Sequence, residues 1–225
     1  MRTLAIGDIH GCLTAFDLLL GQVQPKGDDI LVFLGDVTDR GPDTRGVIDR
    51  IIELQSRLRV VPILGNHDEM VIHAFQGKVN PVWLYAGGRA TLASYGHKPE
   101  DVLLDWIPAA HREHLLAYLP YYETDTHIFA HALVNPELPL GQQDDVTLRW
   151  AKLDGPIQHV SGKTLICGHT KQRSGNPLVM PGTICIDTGA YDPNGWLTCL
   201  DVGTGEYWQT SQKGGLRQGR LAEAK

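Results

Sequence analysis

Asp8, His10, Asp36, Asp39, Arg40, Asn66, His67, His131 and His169 follow directly on apolar, β-rich runs in this 225-residue chain. Leu4-Ala5-Ile6 leads into Gly7-Asp8-Ile9-His10-Gly11, and Ile30-Leu31-Val32-Phe33-Leu34 leads into Gly35-Asp36-Val37-Thr38-Asp39-Arg40-Gly41-Pro42. Val60-Val61-Pro62-Ile63-Leu64 leads into Gly65-Asn66-His67-Asp68, Ile128-Phe129-Ala130 into His131, and Thr164-Leu165-Ile166-Cys167 into Gly168-His169-Thr170. A carboxylate at the end of a buried strand can bridge two metal ions, and an arginine beside it can clamp a phosphate bidentately. Asp8 and His10 are two residues apart, which on an extended backbone turns both side chains to one side. With Asp36, Asn66, His131 and His169 they form a set of imidazole and oxygen ligands. That mixture suits manganese, iron or zinc better than calcium or magnesium, and it lacks the thiolates of a structural zinc site. Two divalent ions outweigh the carboxylates of Asp8 and Asp36 even after a bridging hydroxide is added, and Arg40 adds further positive charge. A phosphoryl group is the natural ligand for such a centre.

Reactive side chains where strands end need a rigid scaffold, and an α/β fold supplies one. Between the first three strands, Leu13, Phe16, Leu20 and Val23 recur at helical spacing, as do Val47, Ile48, Ile51, Ile52 and Leu58, with Asp43 placed to cap the second helix. Met70, Val71, Ala74 and Phe75 predict a third helix. From about residue 78 to 126 the pattern breaks into short pieces, Trp83–Gly88 and Thr91–Gly96, before a helix over Ala109–Tyr118. This stretch reads as an insertion that forms one wall of the site. Strand signals return at Thr183–Ile186, which ends in Asp187, at Trp196–Leu200 and at Glu206–Gln209; a polar, glycine-rich tail spans about 212–225. No linker composition divides the chain, so 1–225 reads as one domain.

Composition narrows the class. A net charge of -6 argues against a nucleic-acid binder, whose footprint would be basic. Cys12, Cys167, Cys185 and Cys199 are scattered without a Cys-x-x-Cys pair, so neither a disulfide framework nor a zinc knuckle is indicated. No signal peptide or membrane-length apolar run is present, which predicts a cytoplasmic protein with no membrane partner. His73, His97, His111, His114, His127 and His159 belong to none of the blocks and read as surface or packing residues, and Asp187 as a structural strand-end aspartate.

At the five blocks the sequence resembles the calcineurin-like metallophosphoesterases, in particular the phosphoprotein phosphatase branch in its small bacterial and phage form. The blocks occur in the family's order and cover most of the chain. The resemblance implies an αββα sandwich, two mixed β-sheets flanked by helices, with a binuclear metal centre at the strand ends. Carried over residue by residue, one metal takes Asp8, His10 and Asp36, and the other takes Asp36, Asn66, His131 and His169. Asp36 is then the bridge, with manganese as the first choice of ion and iron or zinc as others. His67 matches the general acid, oriented by Asp39. Arg40 matches a phosphate-binding arginine, Arg149 a second one with Lys152 as its rival, and Tyr191 a tyrosine near the site.

Two positions depart from the family pattern. Gly168-His169-Thr170-Lys171 lacks the second histidine of the Gly-His-x-His block, which favours the phosphatase branch and leaves the first metal fewer ligands. Ala132-Leu133 follows His131 where Ala-Gly is usual. The function so implied is a metal-dependent serine/threonine protein phosphatase that hydrolyses phosphomonoesters by attack of a metal-bridging hydroxide, on a phosphoprotein or phosphorylated small molecule. The alternative is a symmetrical dinucleoside polyphosphate (diadenosine tetraphosphate) hydrolase, which shares these blocks. A metal-free binding scaffold on the same fold is the third reading, and it would have no use for the ligands.

Overall fold

The structure, a computed structural model, describes residues 1–98 and 106–222. The first third alternates strand and helix as the apolar spacing predicts: β1 (Thr3–Ile6), α1 (Leu13–Val23), β2 (Ile30–Phe33), α2 (Thr44–Gln55), β3 (Arg59–Pro62) and α3 (Asn66–Phe75). The side chain of Asp43 caps α2 by accepting from the Gly46 amide at 2.8 Å. A helical wall follows, made of α4 (Pro81–Trp83), a π turn (Leu84–Gly88), α5 (Arg89–Ser94) and α6 (Ala109–Leu116). The remainder is β4 (Tyr121–Glu123), β5 (His127–Ala130), α7 (Asp145–Trp150), β6 (Thr164–Cys167), β7 (Leu178–Met180), β8 (Thr183–Cys185), β9 (Leu197–Asp201), β10 (Glu206–Thr210) and β11 (Leu216–Arg220).

Two mixed sheets result, ordered β11-β10-β9-β1-β2-β3 and β4-β5-β6-β8-β7. Alternation along each strand decides what goes where. Ala5, Val32, Leu34 and Ile63 of the first sheet meet Phe129, Ile166 and Ile186 of the second in the layer between them. Leu4, Ile6, Leu31 and Phe33 point the other way, against Phe16, Leu19, Ile48, Ile51 and Val71 of the helices. On the far face of the second sheet, Ile128, Ala130, Leu165 and Cys167 pack under Leu133, Leu140 and Leu148.

The parallel register is what positions the site. Within the first sheet β1, β2 and β3 run parallel, and within the second so do β5, β6 and β8. Each block therefore delivers three strand C-termini to one edge. The stretch read as a polar tail carries β11, which pairs antiparallel with β10 from Glu206↔Arg220 to Thr210↔Leu216; its polar residues belong to an edge strand. Residues 99–105 of the predicted insertion and 223–225 of the tail lie outside the described residues.

Candidate active site

Among the described residues six non-glycine residues have a left-handed backbone, and His10, Asp36, Asp39, Arg40 and His169 are five of them (φ 48, 50, 70, 67 and 60°). Each such residue costs on the order of 1 kcal/mol, which native structures tolerate where the surroundings over-determine the backbone, typically at sites. The loops after β1, β2 and β6 are therefore bent sharply just past the strands. The extended Asp8–His10 geometry read from the two-residue spacing is corrected here: with His10 left-handed, its imidazole is turned by the loop. Gly35 helps the turn after β2, with φ 91° and the Gly65 backbone so near that a Cβ would lie 2.6 Å from its nitrogen.

Asp36 stands at the centre. Its Oδ2 lies 3.5 Å from His10 Nε2 and 3.5 Å from His131 Nε2, and its Oδ1 accepts from the His67 amide at 2.9 Å. Burial pushes the Asp36 carboxyl up, but His131, His67 and His10 outweigh it and hold the group well below the usual carboxylate range. Among the described residues two groups emerge with ligand atoms within 4.8 Å of one another: His10, Asp36 and His67, and Asp36, His131 and His169. Asn66 Oδ1 adds an oxygen 2.9 Å from His131 Nε2 and 2.9 Å from His169 Nδ1. Asp8 is in neither group; its carboxylate accepts from the His169 amide at 3.1 and 3.3 Å.

The tautomers show that this arrangement fits cations. His10 Nδ1–H donates to the Thr38 carbonyl (2.8 Å), His131 Nδ1–H to Leu34 (2.8 Å) and His169 Nε2–H to Trp150 (3.1 Å). A carbonyl only accepts, so the other ring nitrogen of each histidine presents a lone pair. Burial lowers the pKa of all three, that of His169 to about 3, and keeps them neutral. Lone pairs from His131 and His169 thus converge on the oxygen of Asn66 with the Asp36 carboxylate beside them. Backbone carbonyls behind the rings fix imidazoles for metal in this way.

Beside these groups, His67 Nδ1–H donates to Asp39 Oδ2 at 2.7 Å, and its Nε2 accepts from Arg40 at 2.8 Å. Burial lowers the His67 pKa, but the carboxylates of Asp36 and Asp39 more than offset it and the net shift is upward. Arg40 also reaches His10 Nε2 at 2.9 Å, so its guanidinium spans the two rings. The helical wall fixes this corner. Trp83 Nε1 and Thr91 Oγ1 donate to Asp39 at 3.0 and 2.7 Å, and the Gly87 and Ala86 carbonyls accept from the Arg40 backbone and Nε. Gly87 sits at φ 138°, and a Cβ there would lie 2.6 Å from the Arg40 nitrogen. Trp83→Phe keeps the buried ring but removes one donor to Asp39. Turnover should fall about tenfold while the fold is retained, measured by steady-state rates beside thermal unfolding.

Residues 1–172 match the calcineurin-like phosphoesterases. The chain belongs to that family. It is 31% identical over 218 residues to the asymmetrical bis(5'-nucleosyl)-tetraphosphatase PrpE of Oceanobacillus iheyensis, a match covering 84% of each chain. It is 38% identical over 120 residues to the symmetrical bis(5'-nucleosyl)-tetraphosphatase of Acidovorax sp. strain JS42, covering 51% of this chain and 40% of that one. The chain thus spans less than half the length of the symmetrical relative. Among solved structures, a candidate diadenosine tetraphosphatase superposes with a TM-score of 0.68 at 20% identity, covering 99% of this chain and 95% of the other. A serine/threonine protein phosphatase from Saccharomyces cerevisiae gives 0.60 at 13% identity, covering 100% and 81%. At those identities the structures establish the fold alone.

For this calcineurin-like phosphoesterase the serine/threonine protein phosphatase reading is overturned. The curated relatives named above are nucleosyl tetraphosphatases, and they give a phosphoprotein substrate no support. The physical reason is that the blocks carry candidate metal and phosphate ligands, and such groups by themselves do not distinguish a phosphoprotein from a nucleotide. Arg149, named in the sequence as a second phosphate arginine, is buried, with its terminal nitrogens 2.8 Å from Glu69 and 2.9 Å from Asp145. Lys152 donates to the His169 carbonyl at 3.0 Å. Tyr191 packs edge-on to His10 with ring centroids 5.1 Å apart, and the Arg40 guanidinium lies 4.4 Å from its ring centre.

Sequence reasoning gave no role to Asp68, Trp83 or Thr91. Asp68 directly follows the Asn66-His67 pair, which was the available signal; Trp83 and Thr91 open the two pieces Trp83–Gly88 and Thr91–Gly96 of the predicted wall, which marked their place but not their bonds to Asp39. Of the histidines outside the blocks, His111 links Tyr95 to Asp49 and His114 meets Tyr118, both away from Asp36. Among the described residues no helix is long and apolar enough to cross a membrane.

Proposed function

We propose that this chain is a dinucleoside polyphosphate hydrolase that cleaves bis(5'-nucleosyl) tetraphosphates, with two divalent ions held by Asp8, His10, Asp36, Asn66, His131 and His169. The observation that carries the reading is the identity to PrpE, sustained along most of both chains. The symmetrical relatives match over a shorter stretch, so the expected products are those of asymmetrical cleavage, a nucleoside triphosphate and a nucleoside monophosphate. When bound, the metal ions would neutralise charge on the phosphoryl oxygens and supply a nucleophile at neutral pH. The imidazole and oxygen donors suit manganese, iron or zinc.

The protein's own groups divide the remaining work. Arg40, steadied by Tyr191 and the Ala86 carbonyl, offers both terminal nitrogens to the non-bridging oxygens of the scissile phosphate. Once those donors turn to phosphate, His67 Nε2 is free to carry a proton to the departing oxygen. Asp39 holds the ring from behind through Nδ1.

The test is turnover of diadenosine tetraphosphate with manganese supplied, the products separated by ion exchange. ATP plus AMP supports the reading, ADP alone overturns the asymmetrical cleavage, and no turnover overturns the substrate class. Arg40→Ala should lower kcat/KM about 10–100-fold while metal content stays unchanged, since charge-assisted hydrogen bonds to phosphate are lost.

A further inference from the structure

We infer that the open polar pocket beside Tyr191 receives the arm of the substrate beyond the scissile phosphate, with Lys171 as the residue that selects for a polyphosphate chain. This rests on the dinucleoside polyphosphate reading and adds where the rest of such a substrate lies. Asymmetrical cleavage puts most of the bridging phosphates on one side of the reacting phosphorus. Each carries an ionised oxygen, so their path out of the site needs cations along it.

One such path is present. Arg40 touches His10 and His67 and lies 4.4 Å from the centre of the Tyr191 ring. Lys171 Nζ lies 5.4 Å from the same ring centre, so a single aromatic side chain carries one cation at the metal ligands and a second farther out. Beyond it opens a pocket of about 360 Å³, lined among others by Lys171, Gln172, Arg173, Asp192 and Asn194. Lys171 and Arg173 against Asp192 leave this pocket positive in a chain whose net charge is -6. A local excess of cations against that background marks a place for anions. The amide of Asn194 can both donate and accept, and Gln172, whose nitrogen donates to the Thr170 carbonyl, adds an acceptor oxygen, which suits ribose hydroxyls and base edges.

Lys171 is also placed in advance. Asp192 Oδ2 holds its Nζ at 2.8 Å, and its stem runs past Gly189, where a Cβ would lie 2.8 Å from Lys171 Cδ. Gly189 has φ 72°, so this turn favours glycine and leaves room for the stem. Other cavities among the described residues lie elsewhere on the fold. One of about 620 Å³, for example, is lined by Arg2, Asp125 and Val202, which flank the opposite ends of the strands.

The experiment is steady-state kinetics of the full chain with manganese, on diadenosine tri-, tetra- and pentaphosphate and on p-nitrophenyl phosphate. Lys171→Met should raise KM for the tetraphosphate about tenfold more than KM for p-nitrophenyl phosphate, and Lys171→Arg should restore most of the difference. Equal KM changes on the two substrates overturn the inference, as does a Lys171→Arg variant no better than Lys171→Met. Failure of the wild-type protein to cleave any dinucleoside polyphosphate while cleaving p-nitrophenyl phosphate overturns the substrate reading, and the inference with it. The first two outcomes are read in the variants and the last in the wild type.

Discussion

Asp36→Asn should lower turnover on the order of 10³-fold or more and remove bound divalent metal in the same variant. The substitution preserves side-chain shape, and its Oδ1 can still accept from the His67 amide. What it loses is the negative charge and the second acceptor oxygen, the one poised 3.5 Å from both His10 Nε2 and His131 Nε2. An amide nitrogen there donates toward the two lone pairs and occupies the direction a cation would use. Both ligand groups share this residue, so one change should unload both. Elemental analysis after exhaustive dialysis, alongside kcat, is the measurement. Two tightly held ions per chain in the variant would remove Asp36 from its bridging place.

Asp68→Ala should destabilise the fold by about 4 kcal/mol. Asp68 is fully buried, and its Oδ1 accepts from the Val37 amide (3.1 Å), the Thr38 amide (3.2 Å) and the Thr38 hydroxyl (2.9 Å), while Oδ2 accepts from the Gly65 amide at 3.2 Å. Alanine orphans these donors in the interior, each at a cost of about 1–3 kcal/mol, partly recovered by relaxation. The damage also reaches the chemistry, because Val37 and Thr38 follow Asp36 and the Thr38 carbonyl orients His10. Asp68→Asn retains an acceptor for the donors on Oδ1 and should recover much of the loss. Urea unfolding of the three proteins checks this; a loss below about 1 kcal/mol in Asp68→Ala would show that water or a shifted backbone replaces the carboxylate.

Sequence and structure agree where the information is local. Continuous apolar runs in Leu4–Ile6, Ile30–Leu34 and Ile128–Ala130 specify strands buried on both faces, and polar clusters directly after them specify where the reactive groups emerge. Asp43 before α2 marks that helix start for the same reason, since a cap acts within one turn. The polar tail misled because β11 is an edge strand, held by backbone pairing to β10 and carrying side chains that need no burial. Arg149 shows a different limit. It is the choice for the second phosphate arginine that the resemblance implies late in the chain, and its ion pair with Glu69, eighty residues earlier on α3, is a contact no local pattern announces.

By itself, the sequence of this calcineurin-like phosphoesterase determined the types of the candidate ligands, their order and their attachment to strand ends, because those depend on residue identity and short-range periodicity. The tertiary structure alone decided which lone pairs converge. Asn66 meets His131 and His169 across the gap between two sheets, and His10 reaches Asp36 only because both loops turn left-handed. It also decided that a helical wall with no chemistry of its own should hold Asp39 through Trp83 and Thr91. Such pairings depend on how twisted sheets and helices pack at distances no sequence window spans. The physical cause is that a cation site is a property of facing surfaces, and those surfaces exist only once the core between them has closed.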